Sequence, residues 1–212
     1  MLLLAVTTAF FDRINIVVLF TNASFHEAIG VGDNPALMGL LMTAFVFAYG
    51  VSAMVLSISG DFLGPRKTLL IITAALAVTM ALMGAGSSYA LMIVGRVLLG
   101  TAEGPQFGAA NATVKRWFPV REQSRANAIW TIGSPLGSAI GFPLIIYLVA
   151  SYGWRASFYM LAALNAVVVL PVIWLFLKDG PASDSVTLRG NADSNTGSLR
   201  AGISLFVRDW RF

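Results

Sequence analysis

Residues 95–108 read GRVLLGTAEGPQFG, an otherwise apolar run that carries two full charges, Arg96 and Glu103. A charge at the centre of a bilayer costs roughly 3 kcal/mol or more, so its presence there points to function or to a compensating partner. The two residues stand seven positions apart, nearly two helical turns, which places them about 20° apart in azimuth and roughly 10 Å apart along the axis. They share one face. Gly100, Gly104 and Gly108 recur beside it, so a neighbouring helix can approach closely and keep lipid off the charges. The plainer alternative is a buried ion pair, or side chains that snorkel to the headgroups.

Outward from this stretch the composition supports a membrane setting. Of 212 residues 57% are hydrophobic and 11% charged, with a mean hydropathy of +0.78, well outside the range of a soluble domain. The chain reads as an all-α, multi-pass integral membrane protein. It has no cysteine and a single histidine, His26, which excludes disulfides, thiolate metal centres and a thiol nucleophile, and argues against a His-rich metal site. No metal or organic cofactor is expected. The pI near 9.8 is read as membrane topology rather than as a nucleic-acid footprint.

Six apolar spans can be marked. The first, 1–21, carries Asp12 and Arg13 at its centre, unlike a signal peptide; adjacent residues point about 100° apart, so at least one of the two faces inward. A polar stretch, 22–35, reads as an external loop with a short helix, and His26 as one of its ordinary residues. The second span, 36–59, contains Tyr49 and ends in Gly60-Asp61-Phe62-Leu63-Gly64-Pro65-Arg66-Lys67, a tight Gly-Pro reversal suited to a short cytoplasmic connector. The third, 68–85, has no ionisable residue and suits the lipid-facing periphery. The fourth is the opening stretch, followed by a basic cytoplasmic loop, 115–125. The fifth, 126–150, repeats the small-residue pattern with Gly133, Gly137 and Gly141 beside Pro135 and Pro143, and is expected to partner the fourth. The sixth, 156–177, is flanked by Trp154 and Trp174, residues suited to the interfaces.

The expected organisation is therefore a transmembrane bundle over 1–178, a flexible Gly/Ser/Asp/Asn-rich cytoplasmic loop over 179–198, and an amphipathic surface helix over 199–212, where Ile203, Phe206, Val207 and Trp210 oppose Arg200, Ser204, Arg208 and Arg211. Alternating the loops across the membrane leaves Arg155 alone on the outer side, with Arg13 and Arg96 inside the bilayer. The other basic residues lie on the side of both termini, which puts the termini in the cytoplasm. The first span begins abruptly and the last helix ordinarily leads into another span, so a longer polypeptide is expected.

The motifs together resemble the N-terminal half of a major facilitator superfamily transporter, within it the anion:cation symporter family that carries organic anions such as sugar acids and aromatic carboxylates. The likeness rests on Asp12-Arg13-Ile14-Asn15, on the 60–67 connector, on Gly95-Arg96 with Glu103-Gly104-Pro105-Gln106-Phe107, and on Gly153-Trp154-Arg155. The resemblance implies six transmembrane helices forming one bundle, built of two inverted three-helix repeats, that rocks against a C-terminal bundle of the same protein absent from this chain. It implies that Arg13, Tyr49 and Arg96 line a substrate site for a small organic anion, that Asp12 and Glu103 are proton-coupling acids, and that Asp61 with Arg66 braces the cytoplasmic gate. It also implies a bacterial inner membrane. Two acids and two arginines sum to zero charge, so an anion gains attraction only once an acid is protonated, and that linkage is proton symport. The alternatives are an uncoupled facilitator or exchanger, a half-bundle without transport of its own, or a membrane enzyme; the last is disfavoured because no metal cluster, nucleophile elbow or phosphate loop is present.

Overall fold

Three proline-linked irregularities divide the spans of this chain and determine which helices run unbroken through a membrane. The computed structural model describes residues 1–32, 34–57 and 63–178; the expected loop over 179–198, the expected surface helix over 199–212 and Asp61 lie outside the described residues. The helices are α1 (Leu2–Leu19), α2 (Ala23–Ile29), α3 (Pro35–Leu56), α4 (Pro65–Ala85), α5 (Tyr89–Glu103), α6 (Gln106–Trp117), α7 (Val120–Thr131), α8 (Gly133–Tyr152) and α9 (Trp154–Ala163), then a widened π segment (Leu164–Val169) and α10 (Leu170–Phe176). No strand occurs among the described residues.

Among the described residues five stretches are long and apolar enough to cross a membrane unaided: Leu2–Leu19, Pro35–Leu56, Pro65–Ala85, Val120–Tyr152 and Trp154–Phe176. The sixth crossing, α5 with α6, is interrupted at Gly104-Pro105. Proline has no N–H, so Pro105 leaves the carbonyl of Thr101 without its helical donor. In lipid such a carbonyl needs another partner, and the Ser52 hydroxyl of α3 donates to it at 2.5 Å. A proline likewise removes a helical donor near the two other interruptions, at Ile132, where α7 gives way to α8 ahead of Pro135, and in the π segment ahead of Pro171.

The loops are shorter than the composition suggests. Around 115–125 helix runs almost through, broken only at Phe118-Pro119, and Lys115 and Arg116 occupy the last turn of α6, where positive charge suits the helix dipole. Asn22 caps α2, its side chain accepting from the backbone N–H of Phe25 at 2.9 Å, and His26 sits in that helix. Gly64 takes a φ of +84° before Pro65, a conformation that glycine adopts without strain.

The two glycine stripes do not face each other, contrary to the expected pairing of the fourth and fifth spans. A Cβ on Gly100 would stand 2.5 Å from the carbonyl oxygen of Phe45, and one on Gly104 2.7 Å from the backbone nitrogen of Ala53, so α5 packs on α3. A Cβ on Gly133 or Gly137 would stand 2.8 Å from the carbonyl oxygen of Leu3 or Thr7, so α8 packs on α1. Each stripe thus serves a span of the first three-helix half, and a glycine pattern shows that a helix is closely approached without saying by which neighbour. The third span, α4, buries one face, including Leu69, Ile72, Leu76 and Met80, and exposes Ile71, Val78 and Leu82 on the other. Trp154 is covered by Phe25 (edge to face, 5.1 Å) and Phe158, whereas Trp174 is exposed. On α3 an apolar strip of Phe47, Val51, Met54 and Val55 is open, a surface suited to lipid or to another helical bundle and not to water.

Candidate functional site

Glu103 is the last residue of α5, and its carboxylate is fully buried. Desolvation on that scale needs a partner, and Arg13 of α1 supplies it: Arg13 Nη2 donates to Glu103 Oε1 at 2.6 Å. Arg13 stays 21% exposed, so the pair has one buried and one open member. Three rings surround the Arg13 guanidinium, Phe10 at 4.6 Å, Tyr49 at 4.8 Å and Phe45 at 5.2 Å from carbon to centroid. Phe45 and Tyr49 lie one turn apart on α3 and stack at 6.0 Å, forming an aromatic wall whose negative faces suit a cation.

Arg96 lies on the same face of α5 but takes different partners. It is 1% exposed, its guanidinium is 4.5 Å from the Phe45 centroid, and it donates from Nε to the carbonyl of Leu41 at 3.2 Å and from Nη2 to the Met42 sulfur at 3.4 Å. Among the described residues it makes no ion pair; the pair within this cluster is Arg13–Glu103. Phe45 is therefore shared between two arginines, one deep and one open.

Asp12 points away from this wall, as expected for the neighbour of Arg13. It is 1% exposed and accepts from Asn165 Nδ2 of the π segment at 2.7 Å. Several buried polar atoms have no partner among the described residues: Asp12 Oδ1, Asn165 Oδ1, both side-chain polar atoms of Asn15, Glu103 Oε2 and Gln106 Oε1. Gln106, just past the Gly104-Pro105 break, donates to the carbonyl of Ala5 at 3.0 Å and so ties α6 to α1. Arg66 donates to the carbonyl of Trp174 at 2.7 Å, at the C-terminal end of α10.

The structure thus brings Arg13, Tyr49, Arg96 and Glu103 into one cluster around Phe45 and sets Asp12 behind it. Phe45 and Asn165 belong to the arrangement without having been singled out from the sequence, and Gln106, part of the 103–107 motif, had been given no role there. Asn165 was detectable as an amide within an apolar run, a milder form of the signal that drew attention to Arg96. Phe45 was not, because an aromatic ring in a membrane span is ordinary. Two apolar grooves of about 590 and 410 Å³ lie elsewhere, one around Met1, Trp117 and Phe176, the other around Leu56, Ile71 and Pro105. Neither touches the charged cluster, whose one partly exposed charged member is Arg13.

The family model described as Major Facilitator Superfamily matches residues 2–212. Among curated relatives the chain is 31% identical over 177 residues to a probable sulfoacetate transporter of Cupriavidus necator, covering 84% of this chain and 40% of that one. It is 24% identical over 145 residues to the hexuronate transporter of Bacillus subtilis, covering 68% and 34%. It is 28% identical over 179 residues to sodium-dependent phosphate transport protein 1, chloroplastic, of Arabidopsis thaliana, covering 84% and 34%. The crystal structure of a bacterial homolog of the human lysosomal transporter Spinster, inward-facing and unoccupied, superposes with a TM-score of 0.71 at 18% identity, over 85% of this chain and 42% of that one. The chain spans less than half the length of each of these proteins.

Proposed function

Because the chain belongs to the Major Facilitator Superfamily, a family of transporters and not of enzymes, we propose that it is the N-terminal bundle of a secondary transporter for small organic anions, driven by proton symport. The observation that carries this reading is the Arg13–Glu103 pair, half buried and half open at 2.6 Å. While Glu103 is ionised it occupies the guanidinium that an incoming carboxylate needs. Once Glu103 takes a proton, Arg13 is released to bind the substrate through the paired hydrogen bonds that guanidinium and carboxylate form. Binding of the anion then favours protonation of Glu103 by the same factor, which is the coupling.

The remaining roles follow from placement. Tyr49 flanks the released guanidinium and contacts the substrate; Arg96, packed on Phe45, contributes positive potential from behind the wall. Asp12 is a second proton-accepting carboxyl. Asp61 and Arg66 act together at the cytoplasmic gate, Arg66 holding the end of α10. The relatives named above handle sulfoacetate, hexuronate and phosphate, all small oxyanions, and a guanidinium site matches that shared chemistry. Both termini face the cytoplasm of a bacterial inner membrane, and a second bundle of the same protein completes the cavity and the specificity.

Sodium coupling is the second reading, favoured by the name of the Arabidopsis relative. Proteoliposomes separate the two: uptake of a sugar acid that follows an imposed pH gradient, is indifferent to a sodium gradient and is lost in Arg13→Ala supports the proposal. Uptake that follows sodium alone, or exchange without dependence on either gradient, refutes it.

A further inference from the structure

Asp12 and Asn165 present an unusual balance of donors and acceptors. Their planar groups are joined by one hydrogen bond, Asn165 Nδ2 to Asp12 Oδ2 at 2.7 Å, while the second carboxylate oxygen, Asp12 Oδ1, and the amide oxygen, Asn165 Oδ1, are buried and have no partner among the described residues. Asn165 is held in place by a second bond from Nδ2 to the carbonyl of Leu161 at 3.1 Å, which commits both amide protons and fixes which end of the amide carries oxygen. Two acceptors on two linked groups lack a single proton between them. A carboxylic acid and a primary amide close a cyclic pair when that proton is supplied: N–H to the carboxyl C=O on one side, carboxyl O–H to the amide C=O on the other.

We infer that Asn165 is the positioning residue of a proton site at Asp12, its amide completing a cyclic acid–amide pair when Asp12 is protonated. Protonation forms one O–H bond on Asp12 Oδ1 and one hydrogen bond to Asn165 Oδ1, and removes the buried negative charge. Both orphaned acceptors are then satisfied. The charged groups acting on Asp12 from across the bundle are Glu103 and Arg96 of α5, with Arg13 adjacent on α1. From the other side α8 and the π segment contain no Asp, Glu, Lys, Arg or His, and Arg155 of α9 is engaged with Gly86 and Ser87 at the far end of its helix. In α7, Arg121, Glu122 and Arg125 are exposed, and Arg66 and Lys67 sit at the start of α4. The site is therefore local to the α1–π-segment contact.

This inference rests on Asp12 being one of the proton-accepting carboxyls of the proposed function, and its test is an equilibrium one that needs no substrate. Asp12→Asn places an amide opposite an amide, which closes the same ring at every pH. In the purified protein in detergent, Asp12→Asn is expected to raise Tm at alkaline pH by about 2–4 °C, the effect of one net hydrogen bond in a chain of this size. Its Tm is expected to be less dependent on pH than that of the wild type, and the gain is expected to vanish in an Asn165→Leu background. Infrared difference spectra on acidification add a second readout: the carboxyl C=O band that appears in the wild type lies lower than in Asn165→Leu, or in Asn165→Ala should the leucine variant not fold. A loss of Tm in Asp12→Asn at alkaline pH, a gain that survives in Asn165→Leu, or a carboxyl band unmoved by the Asn165 substitutions would overturn the inference. Uptake that ignores the pH gradient while the Tm cycle holds would count against the proposed function and leave this pair standing.

Discussion

Replacing Glu103 with glutamine isolates the charge that the mechanism turns on. The glutamine oxygen can still accept one N–H from Arg13, so the contact seen at 2.6 Å is weakened and not abolished. Arg13 stays charged, so its bond to the glutamine oxygen is still charge-assisted; what is lost is the attraction between two full charges, which, screened on the open side of the pair, releases about 1–2 kcal/mol of competition for the guanidinium. Expressed as affinity this is roughly 5- to 30-fold tighter anion binding, at a pH where the wild-type carboxyl is ionised. At acid pH, where wild-type Glu103 is protonated, the two proteins converge. The assay is a titration of a sugar acid into purified protein across a pH series, followed by calorimetry, with counterflow in proteoliposomes as the functional control: Glu103→Gln retains exchange but loses gradient-driven accumulation. Equal affinities at alkaline pH, or full gradient-driven uptake by the mutant, would refute the reasoning.

Three further expectations concern packing and extent. Gly100→Ala places a methyl 2.5 Å from the carbonyl oxygen of Phe45, so α3 and α5 must separate; a loss of about 1–3 kcal/mol should appear as a lower Tm, with a smaller loss for Gly108→Ala, whose nearest neighbours are 3.2 Å away. Ser52→Ala strips the Thr101 carbonyl of its donor and should cost about 1–3 kcal/mol, whereas adding Pro105→Ala restores an N–H to the helix and recovers part of it; an additive double mutant would show that the hydroxyl is not compensating the proline. A peptide mass map of the native product in its source membranes should give a polypeptide about twice the length of this chain, and a product ending at Phe212 would contradict the proposed second bundle.

Charge burial made the ionisable core legible. Asp12, Arg13, Arg96 and Glu103 stand out in a sequence with 11% charged residues, because the bilayer makes each of them expensive. Pairing was not legible, since helical geometry reports which residues share a face and not which helix comes opposite. Arg96 and Glu103 share their face, yet Glu103 pairs with Arg13 and Arg96 packs on Phe45. The same limit applies to glycine: the stripes on α5 and α8 were evident, but their neighbours α3 and α1 were fixed by three-dimensional packing. Asn165 was passed over for a different reason. An uncharged amide costs less to bury than an ion and stands out less in a hydropathy pattern, although in a dry interior its unmet hydrogen bonds matter as much to the chemistry.

The positions of the acids relative to the breaks in the helices link the fold to the proposed chemistry. Glu103 ends α5 immediately before Gly104-Pro105, and the partner of Asp12 lies in the π segment just ahead of Pro171. Regular helix satisfies its backbone internally and presents side chains at fixed steps; an interruption frees carbonyls and re-aims the residues beside it. In lipid the group freed by such a break needs another partner, and for Thr101 it is Ser52. The close approach that makes this possible requires Gly104, whose Cβ would lie 2.7 Å from Ser52. Proline, glycine and serine therefore act as one unit across two helices: the proline breaks α5, the glycine admits α3, the serine satisfies the break, and Glu103 is held at the end of its helix within reach of Arg13.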